Sequence, residues 1–63
     1  NLLSTREFEI LQLVAQGMSN REIADFLHLS KYTIECHIKH IYRKLSVSSR
    51  SKAINTARSL GIL

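Results

Sequence analysis

Five side chains capable of chemistry share one arc of a helix between positions 32 and 43. At roughly 100° per residue, Tyr32, Cys36, Lys39, His40 and Arg43 point the same way. Glu35 and Tyr42 flank them on one shoulder, with Thr33, His37 and Lys44 on the other. Ile34, Ile38, Ile41 and Leu45 fall opposite, within about 60° of one another, as a stripe to be buried. Three chemistries compete for the outward arc. Cys36 and His40 lie one turn apart and, with His37, invite a metal ion. Zinc sites, however, need three or four ligands at a recognisable spacing, and only His28, on a turn elsewhere, adds another. No metal is assigned. Cys36 with His40 also mimics a thiol nucleophile and its base, but no third orienting group and no glycine-rich or oxyanion loop accompanies them. No enzymatic activity and no cofactor are assigned. The third chemistry is recognition. Cations, hydrogen-bonding groups and one small soft residue suit the DNA major groove, which displays acceptors, amino groups and thymine methyls. For Cys36 a redox switch is the alternative to a base contact.

The elements that must hold this arc are written in capping signals. Leu3-Ser4-Thr5-Arg6-Glu7-Phe8 places Ser4 as an N-cap, Glu7 as its reciprocal partner, and Leu3 with Phe8 as a hydrophobic staple. A first helix runs from there to about Gln16, with Phe8, Leu11, Val14 and Ala15 on one face, and Gly17 ends it in the left-handed conformation. Met18-Ser19-Asn20-Arg21-Glu22-Ile23 repeats the device fifteen residues later. The second helix spans about Asn20 to Leu27, with Ile23, Ala24 and Leu27 turned inward. A turn through His28-Leu29-Ser30 follows, and Ser30 caps a third helix of about Lys31 to Leu45. A fourth, about Arg50 to Leu60, carries Ala53, Ile54, Ala57 and Leu60 and stops at Gly61; its N-cap is Ser48 or Ser49. Phe8 and Phe26 read as core or boundary residues. A short helix, a tight turn and a longer helix form a helix-turn-helix, so the fold class is all-α: a four-helix domain whose outer helices complete the core.

Composition narrows the function classes. At 63 residues the chain is one domain with a thin core, of about 3–5 kcal/mol, which leaves little stability for a strained catalytic cleft. A net charge of +4 points to an anionic partner. One cysteine forms no internal disulfide and fits a reducing compartment, so a cytoplasmic location is expected. No run of about 18 apolar residues and no charged-then-apolar stretch occurs, so neither a membrane span nor a signal peptide is expected. The chain opens at Asn1 without an initiator Met, as expected of a piece of a longer protein.

Residues spread along nearly the whole chain resemble the LuxR-type (LuxR/GerE) helix-turn-helix family of bacterial response regulators and quorum-sensing activators. They are Leu3-Ser4 with Arg6-Glu7, then Gly17, Ser19-Asn20, Glu22-Ile23-Ala24, Leu27, Ser30, Thr33-Ile34, His37, Lys44-Leu45-Ser46-Val47, Arg50 and Ala53. The resemblance implies sequence-specific binding of double-stranded DNA as a homodimer, with the third helix in the major groove and the fourth making dimer contacts. It also implies the output role in a transcription regulator, with an upstream receiver or small-ligand domain absent here and RNA polymerase as a further partner. Ser30, Thr33, His37 and Lys44 match the family's backbone-contacting positions, as does Asn20 near the start of the second helix. Glu35, Cys36 and Lys39 match its base-reading positions. Glu35 departs from the lysine many members carry there; it repels phosphate and accepts only from amino groups such as cytosine N4.

Other assignments rest on residue type. Tyr32 and Arg43 face outward and are given to phosphates. Asn55, Thr56 and Ser59 on the outer face of the fourth helix suit a subunit contact. Arg50 sits poorly for the dipole at a helix start, so it either grips a phosphate or pairs with an acid that fixes the fourth helix. The rival to DNA reading is a helical docking or dimerisation module, separable by its weaker salt dependence.

Overall fold

The computed structural model describes residues 2–63. Four helices follow one another: α1 (Thr5–Ala15), α2 (Asn20–Leu27), α3 (Lys31–Leu45) and α4 (Arg50–Ser59). No strand occurs among the described residues. Each helix starts where a serine satisfies an otherwise unpaired N–H. The Ser4 hydroxyl accepts from the Glu7 N–H at 3.2 Å, and the Glu7 carboxylate accepts in return from the Ser4 N–H at 2.9 Å. Ser19 and Glu22 repeat the exchange at 3.2 and 2.8 Å. Ser30 accepts from the Thr33 N–H at 3.0 Å. Ser49, not Ser48, caps α4, accepting from the Lys52 N–H at 3.2 Å. Caps of this kind contribute about 1 kcal/mol each, a large share of a small domain's stability.

Helix ends are less predictable than helix starts. Gly17 follows α1 at φ +92°, as expected of a residue with no Cβ to clash. The ends of α2 and α3 use His28 (φ 58°) and Ser46 (φ 56°) in the same left-handed region. In both turns the next N–H folds back: Leu29 onto the Ala24 carbonyl and Val47 onto the Tyr42 carbonyl, each at 2.9 Å. This closes the turn between α2 and α3 within three residues.

The core lies where α3 packs against α1, α2 and α4. Ile34, Ile38, Ile41 and Leu45 are all buried, as their spacing requires, and meet Ile10, Leu11, Ile23, Ala53 and Ala57. Three expectations need correction. The buried stripe of α1 is Glu7, Ile10, Leu11 and Val14; Phe8 and Ala15 form its half-buried edges. Leu11 and Val14 are buried as expected, but a charged residue, Glu7, and Ile10 take the inward positions expected of Phe8 and Ala15. Phe26 is neither core nor boundary but 65% exposed. The two-turn α2 buries only the arc of Ile23 and Ala24, leaving Phe26 beside Leu13, Gln12 and Gln16 at the surface. Leu60 is 58% exposed because α4 stops at Ser59. Ile62 turns back against the core instead, its N–H bonded to the Ala57 carbonyl at 2.9 Å. Leu60 is left lining a groove with Leu2, Leu3 and Phe8.

Candidate nucleic-acid interface

Three anchors fix the pose of α3. The first is its apolar stripe. The second is Lys44, whose ammonium lies 2.7 Å from Oε1 of Glu7. That carboxylate side chain is 6% exposed and the lysine side chain 41%, so the lysine covers a buried acid. The same Oε1 already accepts from the Ser4 N–H. Burial pushes the Glu7 carboxyl up, but the Lys44 hydrogen bond, the Ser4 N–H and the lysine's charge together outweigh it and hold the group below the ordinary carboxylate value. The third anchor is Arg50. Its guanidinium donates to the Met18 carbonyl, with the Val14 carbonyl at 3.4 Å, tying the start of α4 to the loop between α1 and α2. Arg50 therefore has the structural partner its position called for, although that partner is backbone carbonyl and not an acid.

With its inner stripe buried and its ends held, α3 turns the opposite arc to solvent. Tyr32 is 74% exposed, and Lys39, His40 and Arg43 are exposed beside it. Cys36 is half-buried, and its thiol next to the Tyr32 hydroxyl raises the phenol above its ordinary value. Glu35 is exposed and lies 3.9 Å from Lys31, one turn earlier. Thr33 and His37 are half-buried on the shoulder. The Ser30 and Thr33 hydroxyls are 2.8 Å apart. Because one hydroxyl hydrogen is used between them, the pair offers an incoming anion one O–H donor and not two. Asn20 is the half-buried first residue of α2. Asn55 and Ser59 are exposed on α4, and Thr56 is half-buried.

The arc thus gathers Tyr32, Cys36, Lys39 and Arg43, with Ser30, Thr33 and Glu35 at its entering end. Asn55, Thr56 and Ser59 lie on a separate helix. Glu7 was missed as a partner of this region. The signal was available: an acid at the head of an i, i+3, i+4, i+7 apolar series demands a cation. A second missed signal is the charge division. Helices α1 and α2 carry four acids and two cations, whereas α3 and α4 carry seven cations and one acid. The positive charge is therefore concentrated in the half of the chain that contains the exposed arc. Among the described residues no group of three His, Cys, Asp or Glu side chains comes together to hold a metal, and no helix is long and apolar enough to cross a membrane.

Comparison with known proteins matches residues 1–57 to the family described as bacterial regulatory proteins, luxR family. The chain is 50% identical over 62 residues to the uncharacterized response regulatory protein YgeK of Escherichia coli strain K12, covering 98% of this chain and 42% of that protein. It is 49% identical over 63 residues to the transcriptional regulatory protein ComA of Bacillus subtilis strain 168, covering all of this chain and 29% of that protein. It therefore spans less than half the length of these curated relatives. Among solved structures, the transcription factor GerE superposes with a TM-score of 0.93 at 41% identity, covering 100% of this chain and 94% of that one.

Proposed function

Because the chain belongs to the luxR family of bacterial regulatory proteins, we infer that it binds double-stranded DNA by inserting α3 into the major groove, as the output domain of a transcription regulator. The observation that carries this reading is the outward arc of exposed Tyr32, Lys39, His40 and Arg43, with half-buried Cys36 among them, on the second helix of a helix-turn-helix. Cations cluster on α3 and α4, and the fold leaves the arc uncovered.

Within this reading Lys39 has the charge and reach to donate to guanine N7 and O6, while the soft Cys36 approaches a thymine methyl. Glu35, drawn toward Lys31, favours a cytosine amino group and excludes bases that present acceptors. Phosphates are held by Tyr32, His37, Arg43 and Lys44, by one hydroxyl of the Ser30 and Thr33 pair, and by Asn20. Asn55, Thr56 and Ser59 join two copies on DNA, so the site is an inverted repeat with half-sites roughly 10–10.5 base pairs apart, or a multiple of that. The test is the salt dependence of duplex binding, read by fluorescence anisotropy. Each cation placed on a phosphate adds about −0.9 to the slope of log affinity against log salt. A slope of several negative units is expected. A flat response on every duplex removes the reading in favour of a protein-docking module.

A further inference from the structure

Glu7 is an acid in a protein whose inferred partner is a polyanion. By simple charge it should oppose binding, and neutralising it should help. The geometry says otherwise. Glu7 is buried in the inner stripe of α1, and its Oε1 receives the Ser4 N–H from one side and the Lys44 ammonium from the other. Lys44 stands in the last turn of α3. Its stem is flexible, and without an anchor the ammonium would sample many rotamers. One of its three N–H donors is committed to Glu7. The others remain available, since the side chain is two-fifths exposed.

Resting on the DNA-binding reading above, we propose that Glu7 is a positioning residue for DNA recognition: it never touches DNA, but it fixes the Lys44 ammonium and the end of α3 so that one phosphate sets the depth and register of the helix in the groove. A preorganised ammonium meets its phosphate without the ordering loss of a free one. Phosphate contacts fix register, and register decides which base edges Lys39 and Cys36 can reach. Losing Glu7 therefore weakens the preferred site more than a random one, the opposite of what charge removal alone would do.

The experiment compares a duplex that this chain selects from random-sequence DNA with an unrelated duplex of equal length. Binding is measured for the wild type, Glu7→Gln, Lys44→Ala, the double variant and Ser4→Ala, each under conditions where circular dichroism shows it folded. Gln at position 7 still accepts from the Ser4 N–H, so the helix start survives. Glu7→Gln is expected to weaken the selected duplex about three- to tenfold, an effect of the size typical of coupled neighbours, while the unrelated duplex is unchanged or tighter. In the Lys44→Ala background the same substitution should have no effect on binding. Ser4→Ala loosens the helix start without releasing Lys44 and should leave affinity unchanged, which separates positioning from stability. If Glu7→Gln is unfolded, Glu7→Asp gives the same readout: the charge is retained but the carboxylate is withdrawn by one methylene, and selected-site affinity should fall. The proposal is overturned if Glu7→Gln binds the selected duplex as tightly as the wild type or tighter, or if its loss persists when Lys44 is absent. A wild type that binds both duplexes without salt dependence would instead overturn the DNA reading beneath it.

Discussion

Lys44→Ala should lower stability by an amount that depends on pH, and the dependence isolates the ion pair from packing. Removing one partner of a fully buried pair costs about 3–5 kcal/mol. The pair here is buried on one side only: Glu7 is 6% exposed in its side chain, Lys44 41%. Solvent screening at the lysine reduces the figure, and the carboxylate keeps its bond to the Ser4 N–H. The loss at neutral pH should be about 1–2 kcal/mol. For a domain holding about 3–5 kcal/mol in all, with each kcal/mol moving the melting temperature by about 4–8 °C, the fall should be roughly 5–15 °C.

The sign of the pH effect follows from the direction of the shift. In the folded wild type the Glu7 carboxyl is held below its ordinary value. Its contribution is therefore complete above that value and is lost as pH falls through the lower, folded-state one. Without Lys44, only the Ser4 hydrogen bonds are left to oppose burial, so the carboxyl sits higher than in the wild type and the variant sheds part of its penalty by binding a proton. Wild type and variant should converge on acidification. Thermal melts followed by circular dichroism, from pH 7 down to the lowest pH at which the wild type still melts cooperatively, read the gap directly. An equal gap across that range would mean that Lys44 stabilises through its aliphatic stem, and the electrostatic account would fail.

Arg50→Met keeps the stem and removes the donors to the Met18 and Val14 carbonyls; a loss of about 1.5–3 kcal/mol is expected for charged hydrogen bonds, and unlike the Lys44 effect it should persist in acid. Ser46→Gly should raise the melting temperature, because Ser46 sits at φ 56° with its Cβ opposed to the chain; relief of about 0.5–1 kcal/mol is the scale of that strain, and a drop would show that its hydroxyl has a partner in solution. Lys39→Ala should reduce affinity for the preferred site by about 1–3 kcal/mol and relax preference at one base pair; an equal loss on all duplexes would make Lys39 a phosphate contact.

The fold was legible wherever structure is decided locally. Ser4, Ser19 and Ser30 announce helix starts because a hydroxyl three residues ahead of a free N–H has few better uses, and all three act as expected. The stripe of α3 was legible because a 15-residue helix offers four turns of repetition. Where repetition is short, the reading fails. Two turns of α2 did not separate Phe26 from the core, and one residue less of α4 turned Leu60 outward. Helix ends at His28 and Ser46 left no mark either, since residues other than glycine take the left-handed conformation only when the following turn, here Leu29 onto Ala24 and Val47 onto Tyr42, makes up for the strain.

The interface divides along the same line, and the division explains why its outward face was easier to read than its scaffold. Exposure follows from helical phase, so Tyr32, Lys39 and Arg43 could be placed from spacing alone. Partnership does not. Lys44 and Glu7 are 37 positions apart and Arg50 and Met18 are 32 apart, so neither pairing lies within reach of any local pattern. Each nevertheless leaves a conflict in the sequence: a carboxylate on an apolar stripe in one case, a guanidinium at the wrong end of a helix dipole in the other. Such conflicts are resolved by a distant partner of complementary chemistry. In a four-helix domain with one shared core, the cation on the facing surface of α3 and the Met18 carbonyl in the loop before α2 are the candidates such a search would reach. Reading charged residues at apolar or dipole-opposed positions as unmet demands would thus have found two of the three anchors that hold α3.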